Sequence, residues 1–380
     1  MPLKKLLICI EWFAPGYKAG GPIQSCINLC LALNKYFDIY VLTTDTDHGE
    51  IAPYSTIIPN EWQYQQNLGV TVYYAAKNTI TFKEFAAVIT AVNADYLYLN
   101  LMFSPKFALY PLWLKYVKAI NSTVVICPRG SLYESALSLK WWLKKPLLFL
   151  LHKANLQRKI IFHATNKREE IAVLKYFPKS NIRIADNLPN GLQNSFVGLL
   201  KTKATLDCIF IARIVPIKNL LFLLELIALL KTEIKLSIVG PVEDLVYWET
   251  CKKQMSLLPK NITINIVGAT PNNELEKLIQ QHHLFILPTT GENFGHSIFE
   301  SLRAGRPVLI SDQTPWLNLT EQNAGWHLPL QNKAAFLNVL EQAAAWDQQQ
   351  FDEHATEAWT YANNFINNPS LTTPYLQLFS

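Results

Sequence analysis

Apolar positions in this 380-residue chain gather into short continuous runs, and longer stretches with helical spacing separate them. A short apolar run without polar alternation predicts a strand buried on both faces, as in a parallel sheet. In the first half such strands are predicted at Leu6–Ile10, Ile39–Leu42, Val70–Tyr74, Tyr96–Leu99, Val124–Cys127, Ile160–Ala164 and Ile182–Ala185. Helices are predicted between them, as at Ile23–Asn34 and Phe107–Ala119. The second half repeats the pattern, with strands at Asp207–Ala212, Lys235–Val239, Ile262–Val267, Leu284–Leu287 and Pro307–Ile310 and helices at Leu220–Leu230 and Glu274–Gln281. Alternating β-α units imply parallel sheets covered by helices, here two in tandem.

The predicted crossing lies near Leu188-Pro189-Asn190-Gly191, a turn-rich stretch before the polar Lys201–Thr205. This gives a first domain over 1–195, a second over 196–355 and a tail over 356–380. Spaced aromatics in the tail, Trp359, Tyr361, Phe365, Tyr375 and Phe379, are expected to pack it back on the first domain.

Composition narrows the class. Half the residues are hydrophobic and 17% are charged, so each domain can bury a core and disorder is not expected. No apolar run approaches the ~18 residues of a membrane span. Met1–Ile10 superficially resembles a signal peptide. Glu11 and Trp12 end its apolar run early and no small-residue cleavage site follows, so a first buried strand is the better reading. Six scattered cysteines without a C-x-x-C pair predict reduced, buried thiols in a cytosolic protein. Charge is uneven: residues 1–195 carry 21 Lys+Arg against 12 Asp+Glu, and residues 196–380 carry 13 against 17. The first half is the one that could face an anionic surface.

Several strand-to-helix segments carry candidate chemistry. Gly291-Glu292-Asn293-Phe294-Gly295-His296-Ser297-Ile298-Phe299-Glu300 follows a predicted strand and opens a helix. Free amides and positive dipole density at such a helix start suit a diphosphate or sugar hydroxyls. Glu292 would stand in the loop and Glu300 about two turns into the helix, where each could accept hydroxyl hydrogen bonds. Alternatively they are a helix-start charge and a solvated helix residue. In Ile211–Asn219, Arg213 and Lys218 are two cations on a strand-to-helix loop and point to phosphate, or are plain surface charges. Ala19-Gly20-Gly21-Pro22 permits close backbone approach to a ligand, or simply makes a turn. Arg129, in Cys127-Pro128-Arg129-Gly130, ends a strand at the edge where open α/β sheets bind ligands, or pairs with a carboxylate.

Residues 138–159 contain Lys140, Lys144, Lys145, Lys153, Arg158 and Lys159 without an acid, interleaved with Trp141, Trp142 and Leu147–Leu151. Such a segment fits peripheral contact with an anionic membrane, or a helix that buries its apolar face and solvates its lysines. No nucleic-acid-binding motif accompanies it, and nucleic acid is not an expected partner. Asp45-Thr46-Asp47 looks like a D-x-D metal site but lacks partner ligands, so a plain loop is expected. His282-His283 are adjacent on a helix, diverge by about 100° and are not expected to chelate one ion.

Taken in order, these segments resemble a GT-B retaining glycosyltransferase of family 4, the glycogen-synthase-like glycosyl transferases group 1. GENFGHSIFESLRAGRPVLISDQTPW is similar to that family's E-x7-E signature, with Glu292 and Glu300 as its acids. IARIVPIKN resembles the Arg-x4-Lys diphosphate loop, AGGPIQS the N-terminal glycine loop and LPNGL the interdomain crossing. CPRGSL and HATNKREE resemble segments of a bacterial subgroup that builds surface polysaccharides.

The resemblance implies two Rossmann-like doubly wound domains facing a cleft. It implies a UDP- or GDP-sugar donor and a glycan or polyprenyl-linked acceptor in lipopolysaccharide O-antigen or capsule synthesis. The location would be cytoplasmic, at the inner face of the cytoplasmic membrane if 138–159 binds there, with no metal or other cofactor. Arg213 and Lys218 would hold the donor diphosphate, and Glu300 the ribose. Glu292 and the backbone of Asn293, Phe294 and Gly295 would hold the donor sugar, and Gly21 would approach the phosphates. Relatives often carry a histidine where Arg129 stands, and Arg129 is assigned an acceptor or transition-state contact. Rival readings are a sugar-nucleotide epimerase of the same fold, an inactive relative acting as a scaffold, and a polyanion- or membrane-binding scaffold.

Overall fold

The structure, a computed structural model, describes residues 2–77, 80–138, 141–189, 191, 196–368 and 371–380. The chain forms two compact units: Met1–Leu188 together with Pro369–Ser380, and Pro189–Asn368.

The first unit is built on an eight-stranded sheet. Its strands are β1 (Lys4–Cys9), β2 (Phe37–Thr44), β3 (Trp62–Gln65), β4 (Val70–Ala75), β5 (Tyr96–Asn100), β6 (Thr123–Cys127), β7 (Ile160–Ala164) and β8 (Asn181–Ile184). Their order is β3-β4-β2-β1-β5-β6-β7-β8. All neighbours are parallel except β3, which runs antiparallel to β4. The central strands are buried on both faces; all five residues of β5 and of β7 are buried. One core layer holds Cys26, Leu29, Cys30 and Leu33 of helix Gly21–Leu33. The other holds Phe85, Ile89 and Val92 of helix Phe82–Val92, whose start is fixed by a Thr81–Glu84 capping box.

The second unit carries a six-stranded, wholly parallel sheet. Its strands are β9 (Thr205–Ile211), β10 (Glu233–Val239), β11 (Ile262–Gly268), β12 (Leu284–Leu287), β13 (Val308–Ser311) and β14 (Gly325–Leu328), in the order β11-β10-β9-β12-β13-β14. Both units are Rossmann-like, each with one reversal of strand order: between β1 and β5, and between β9 and β12. Ligands of open α/β sheets bind beyond the carboxyl ends of the strands at such a reversal.

The described contacts divide between Leu188 and Pro189, within the Leu188–Gly191 stretch read as the crossing, while the bound set at 195 lies outside the described residues. Two expectations change. The tail expected to leave at 356 stays with the second unit through Asn368. There helix Gln348–Ile366 starts at an Asp347–Gln350 capping box and buries Phe351, Ala355, Ala358 and Ala362 in the second core. Trp359, Tyr361 and Phe365 therefore belong to the second unit, and only Tyr375 and Phe379 enter the first core. The helix expected over Phe107–Ala119 is a π turn at Pro105–Leu109 followed by Tyr110–Tyr116, and ends before Lys118 at φ 60°.

All six cysteines are buried and free. Among the described residues no helix is long and apolar enough to cross a membrane.

Candidate active site

In the second unit β9 and β12 are parallel neighbours, Leu284 beside Cys208 and Phe285 beside Ile209. The loops that leave them therefore start side by side. The first, Ala212–Asn219, carries Arg213 and Lys218. The second, Pro288–Gly295, leads into helix His296–Arg303.

The two loops are tied through one carbonyl. Thr290 N–H and Thr289 Oγ1 both donate to Ile217 O at 2.8 Å. Ser311 Oγ donates to Thr289 O at 2.5 Å and Glu292 N–H to Gln313 O at 2.9 Å, which fixes the second loop to the end of β13. Phe294 is buried against Phe299, Trp316 and Phe365, and its carbonyl accepts from Trp316 Nε1 at 2.5 Å. Its side chain anchors the loop. Gly295 takes φ 81°, and a Cβ there would lie 2.6 Å from Ile298 Cδ1 and 3.1 Å from Glu292 Cγ. The turn needs glycine for both reasons.

This scaffold brings Lys218 and Glu292 together: Nζ donates to Oε2 at 2.5 Å. The other carboxylate oxygen accepts from Asn293 N–H at 3.1 Å. Burial alone would raise the Glu292 pKa, but Lys218 and the amide outweigh it and hold the group below its ordinary value. Arg213 bonds instead to Glu243 Oε2 at 2.5 Å, at a half-exposed position. Sequence reasoning missed Glu243, as it did Thr289 and Ser311; their role is visible only once the strands are assembled. Gly240 lets this loop close, because a Cβ there would stand 2.0 Å from Ala212 O.

Glu300 lies in helix His296–Arg303, partly buried, and its carboxyl makes no hydrogen bond among the described residues. Burial pushes its pKa up to about 7; Arg303 opposes the shift and Glu276 adds to it. Arg303 itself is taken by Glu276 at 3.0 Å and Gly191 O at 2.9 Å. The arrangement is thus two cations, each held by a carboxylate, beside a helix start and a third carboxyl that accepts no hydrogen bond among the described residues.

In the first unit Gly20, at φ 69°, caps helix Gly21–Leu33, and Gly21 is exposed at its first turn. The preceding loop is held by Asp47, which accepts from Tyr17 N–H at 2.9 Å and Lys18 N–H at 3.2 Å. Asp45 accepts from Lys77 N–H. The Asp45-Thr46-Asp47 segment therefore serves as a loop brace.

Arg129 sits just past β6 at φ 54°. Its fork donates to Asn100 Oδ1 at 2.8 Å, to Asn187 Oδ1 and to Tyr98 OH at 3.2 Å. No carboxylate is among these partners. Tyr98 OH lies 2.9 Å from His163 Nδ1, and His163 Nε2 lies 2.8 Å from Ala185 O. A carbonyl can only accept, so Nε2 carries the proton and Nδ1 accepts from Tyr98. Burial, with Arg129 adding, lowers the His163 pKa to about 3, so the ring is neutral. The amides, phenol and imidazole that fix Arg129 come from β5, β7 and the stretch after β8, and were not anticipated.

The two adjacent histidines do not share an ion site. His282 contacts Leu278 O and Ser237 Oγ, and His283 contacts Asp207 N–H and Leu200 O. The basic segment forms helix Trp141–Lys153, while Lys140 lies outside the described residues. Of the described side chains in this helix only Leu148 is fully buried. Trp141, Trp142, Leu143, Phe149 and Leu150 are each more than half exposed, while Leu148 enters the core and Leu151 packs against it, so the helix buries one narrow apolar stripe and exposes other apolar side chains.

Residues 194–357, most of the second unit, match the model of the family described as Glycosyl transferases group 1. The chain is a glycosyltransferase. No curated protein matches it in sequence. Among solved structures, this glycosyltransferase is similar to sucrose-phosphate synthase from Thermosynechococcus elongatus, at 14% identity and TM-score 0.72 over 99% of this chain and 98% of that one. It is also similar to HepE of Anabaena in complex with UDP-glucose, at 14% identity and TM-score 0.71 over 98% of each chain. A third likeness is to WaaG, a glycosyltransferase involved in lipopolysaccharide biosynthesis, at 13% identity and TM-score 0.64 over 98% of each chain. These likenesses give the glycosyltransferase its fold, GT-B.

Proposed function

We propose that the chain is a retaining, metal-independent family 4 enzyme. It would transfer a sugar from a UDP- or GDP-sugar to a glycan or polyprenyl-linked acceptor in the synthesis of a bacterial surface polysaccharide. The observation that carries this reading is the Lys218–Glu292 pair at the β9/β12 reversal, beside the start of helix His296–Arg303. The donor diphosphate displaces Glu292 from Lys218 and Glu243 from Arg213, so both cations neutralise the leaving group. Glu292, released, accepts hydrogen bonds from the sugar, with the amides of Asn293, Phe294 and Gly295 beside it. Glu300 accepts from the ribose. Gly21 is assigned to phosphate and Arg129 to the acceptor or transition state.

The glycosidic bond stretches toward an oxocarbenium-like state. The acceptor hydroxyl attacks from the face the diphosphate leaves, and its proton passes to the departing phosphate oxygen. The bound UDP-glucose in the HepE structure and the lipopolysaccharide role of WaaG support the donor and acceptor classes by analogy.

Contact of residues 138–159 with the inner face of the cytoplasmic membrane is part of the same proposal. The exposed aromatic residues and lysines of helix Trp141–Lys153 favour it.

A thermal-shift screen against UDP-, GDP-, ADP- and dTDP-sugars tests the donor class. The correct donor raises the melting temperature in proportion to the logarithm of its concentration, and the other bases leave it unchanged. A flat response to all four, with no transfer to a lipid-linked glycan, would remove the reading.

A further inference from the structure

Helix Trp141–Lys153 does more than expose apolar side chains. Leu147, Leu150 and Leu151 form one wall of a groove of about 570 Å³. Phe82, Tyr110 and Trp113 form the other, with the Phe82 ring edge-on to Tyr110 at 4.3 Å and to Trp113 at 5.2 Å. The whole groove lies in the first unit. An exposed apolar patch of this kind marks a binding surface.

Two features select the occupant. The lining is almost wholly apolar, so it offers little to the N–H and C=O groups of a peptide, whereas a hydrocarbon chain needs no such partner. The segment that supplies most of the lining is cationic: between Leu101 and Lys159 the chain has ten Lys+Arg and one acid, Glu134, while helix Phe82–Val92 adds Lys83 and Glu84 beside Phe82. Glu134 is itself bound to Lys175. Lys159 stands 5.1 Å over the ring of Tyr116, at one end of the groove, and Lys153 stands 5.5 Å over the ring of Phe149. Burial and then the neighbouring Lys159 lower the pKa of Lys115, so two like charges meet there and an anion would relieve them.

We infer that this groove takes one acyl chain of an anionic phospholipid from the adjoining leaflet, with the headgroup phosphate against Lys153 and Lys159. The inference rests on the membrane contact proposed for 138–159 and narrows it from adsorption on a surface to capture of a single lipid. Aromatic side chains at the groove then sit at headgroup depth, as they do at membrane interfaces.

The full chain is titrated with cis-parinaric acid, which fluoresces once its chain leaves water. Separately it is sedimented with vesicles of phosphatidylcholine alone or with phosphatidylglycerol added. Ala154→Trp fills the groove, and Leu150→Asn makes its exposed lip polar. Lys153→Glu with Lys159→Glu reverses the rim. The wild type is expected to take up about one chain per molecule, and each groove variant to weaken uptake at least tenfold while keeping its melting temperature. The rim variant is expected to keep uptake and lose sedimentation with the anionic vesicles.

Sedimentation of the wild type with anionic vesicles but no saturable uptake would overturn the groove inference and leave the membrane contact standing. Unchanged uptake in the folded Leu150→Asn variant would overturn it as well. So would a wild-type dimer in ultracentrifugation that Leu150→Asn dissolves, since the groove would then belong to a second copy. A wild type that ignores both kinds of vesicle would instead sink the membrane contact itself.

Discussion

Lys218 and Glu292 hold each other at 2.5 Å although 74 positions separate them, and only 14% and 16% of their side chains are exposed. Each is therefore the competitor of the other's proposed ligand. A diphosphate must take the ammonium from Glu292, and the carboxylate is freed for the sugar in the same event. Binding and activation are thereby linked through one ion pair.

That linkage predicts a split in kinetic constants. Glu292→Gln removes the competitor, so UDP should bind the variant more tightly, by roughly tenfold, a gain equal to ~1.4 kcal/mol. Transfer should nevertheless slow by ~10²–10³-fold, the usual cost of losing one fixed electrostatic group from a reacting centre. Lys218→Ala should lower both UDP affinity and turnover. Calorimetry with UDP and initial rates with labelled donor check this; weaker UDP binding by Glu292→Gln would contradict the competition.

Arg213 and Glu243 form a similar pair at the surface, with 36% of each side chain exposed. Exposed pairs contribute ~0–1 kcal/mol to stability. Arg213→Ala should therefore leave the melting temperature nearly unchanged and still raise the donor KM at least tenfold. Equal donor kinetics in wild type and Arg213→Ala would return Arg213 to the role of a surface charge.

How much of this was legible depended on the local signal each residue leaves. β12 was readable to the residue because Leu284-Phe285-Ile286-Leu287 is buried on both faces and so is apolar throughout. β3 and β14 were missed because Trp62-Gln63-Tyr64-Gln65 and Gly325-Trp326-His327-Leu328 carry no continuous apolar run. The tail boundary was placed early because aromatic spacing shows that a face is buried without showing in which core. Arg213, Lys218, Glu292 and Glu300 stood out through spacing along the chain. Their partners did not: Glu243 and Gln313 meet them only through parallel pairing, and Tyr98, Asn100, His163 and Asn187 converge on Arg129 from separate strands and loops.

Gly295 should be intolerant of a side chain. It combines φ 81° with a 2.6 Å approach of the added Cβ to Ile298 Cδ1. A non-glycine residue in this region costs ~1–3 kcal/mol, and the neighbouring Glu292 Cγ at 3.1 Å must also move. Gly295→Ala is expected to lower stability in urea by that amount and to lower turnover further, since Glu292 shifts. A variant as stable and active as wild type would show that the loop has another conformation available.

His163 should make the protein acid-labile. Its folded pKa, about 3, lies below the ordinary 6.5 because burial, with Arg129 adding, disfavours the imidazolium. Between these values the unfolded chain binds a proton that the folded chain does not, so stability falls as pH drops below about 6.5. His163→Gln, which can donate to Ala185 O, should flatten that part of the profile. Urea midpoints from pH 4 to pH 8 decide it, and parallel profiles for the two proteins would dismiss the effect.

Glu300 runs the opposite way. Its folded pKa, about 7, stands above the ordinary 4.5, so between these values the folded chain holds the extra proton. Its contribution to stability therefore declines as pH rises from about 4.5 to about 7. If ribose hydroxyls donate to this carboxyl, only its ionised form can accept both of them, and nucleotide binding drives the proton off. UDP affinity should then increase from pH 6 to pH 8, with a fraction of a proton released on binding near pH 7. In Glu300→Gln the affinity should be lower and level across that range. Calorimetry in two buffers of different ionisation enthalpy reads the released proton directly, and equal proton release by wild type and Glu300→Gln would remove Glu300 from the nucleotide.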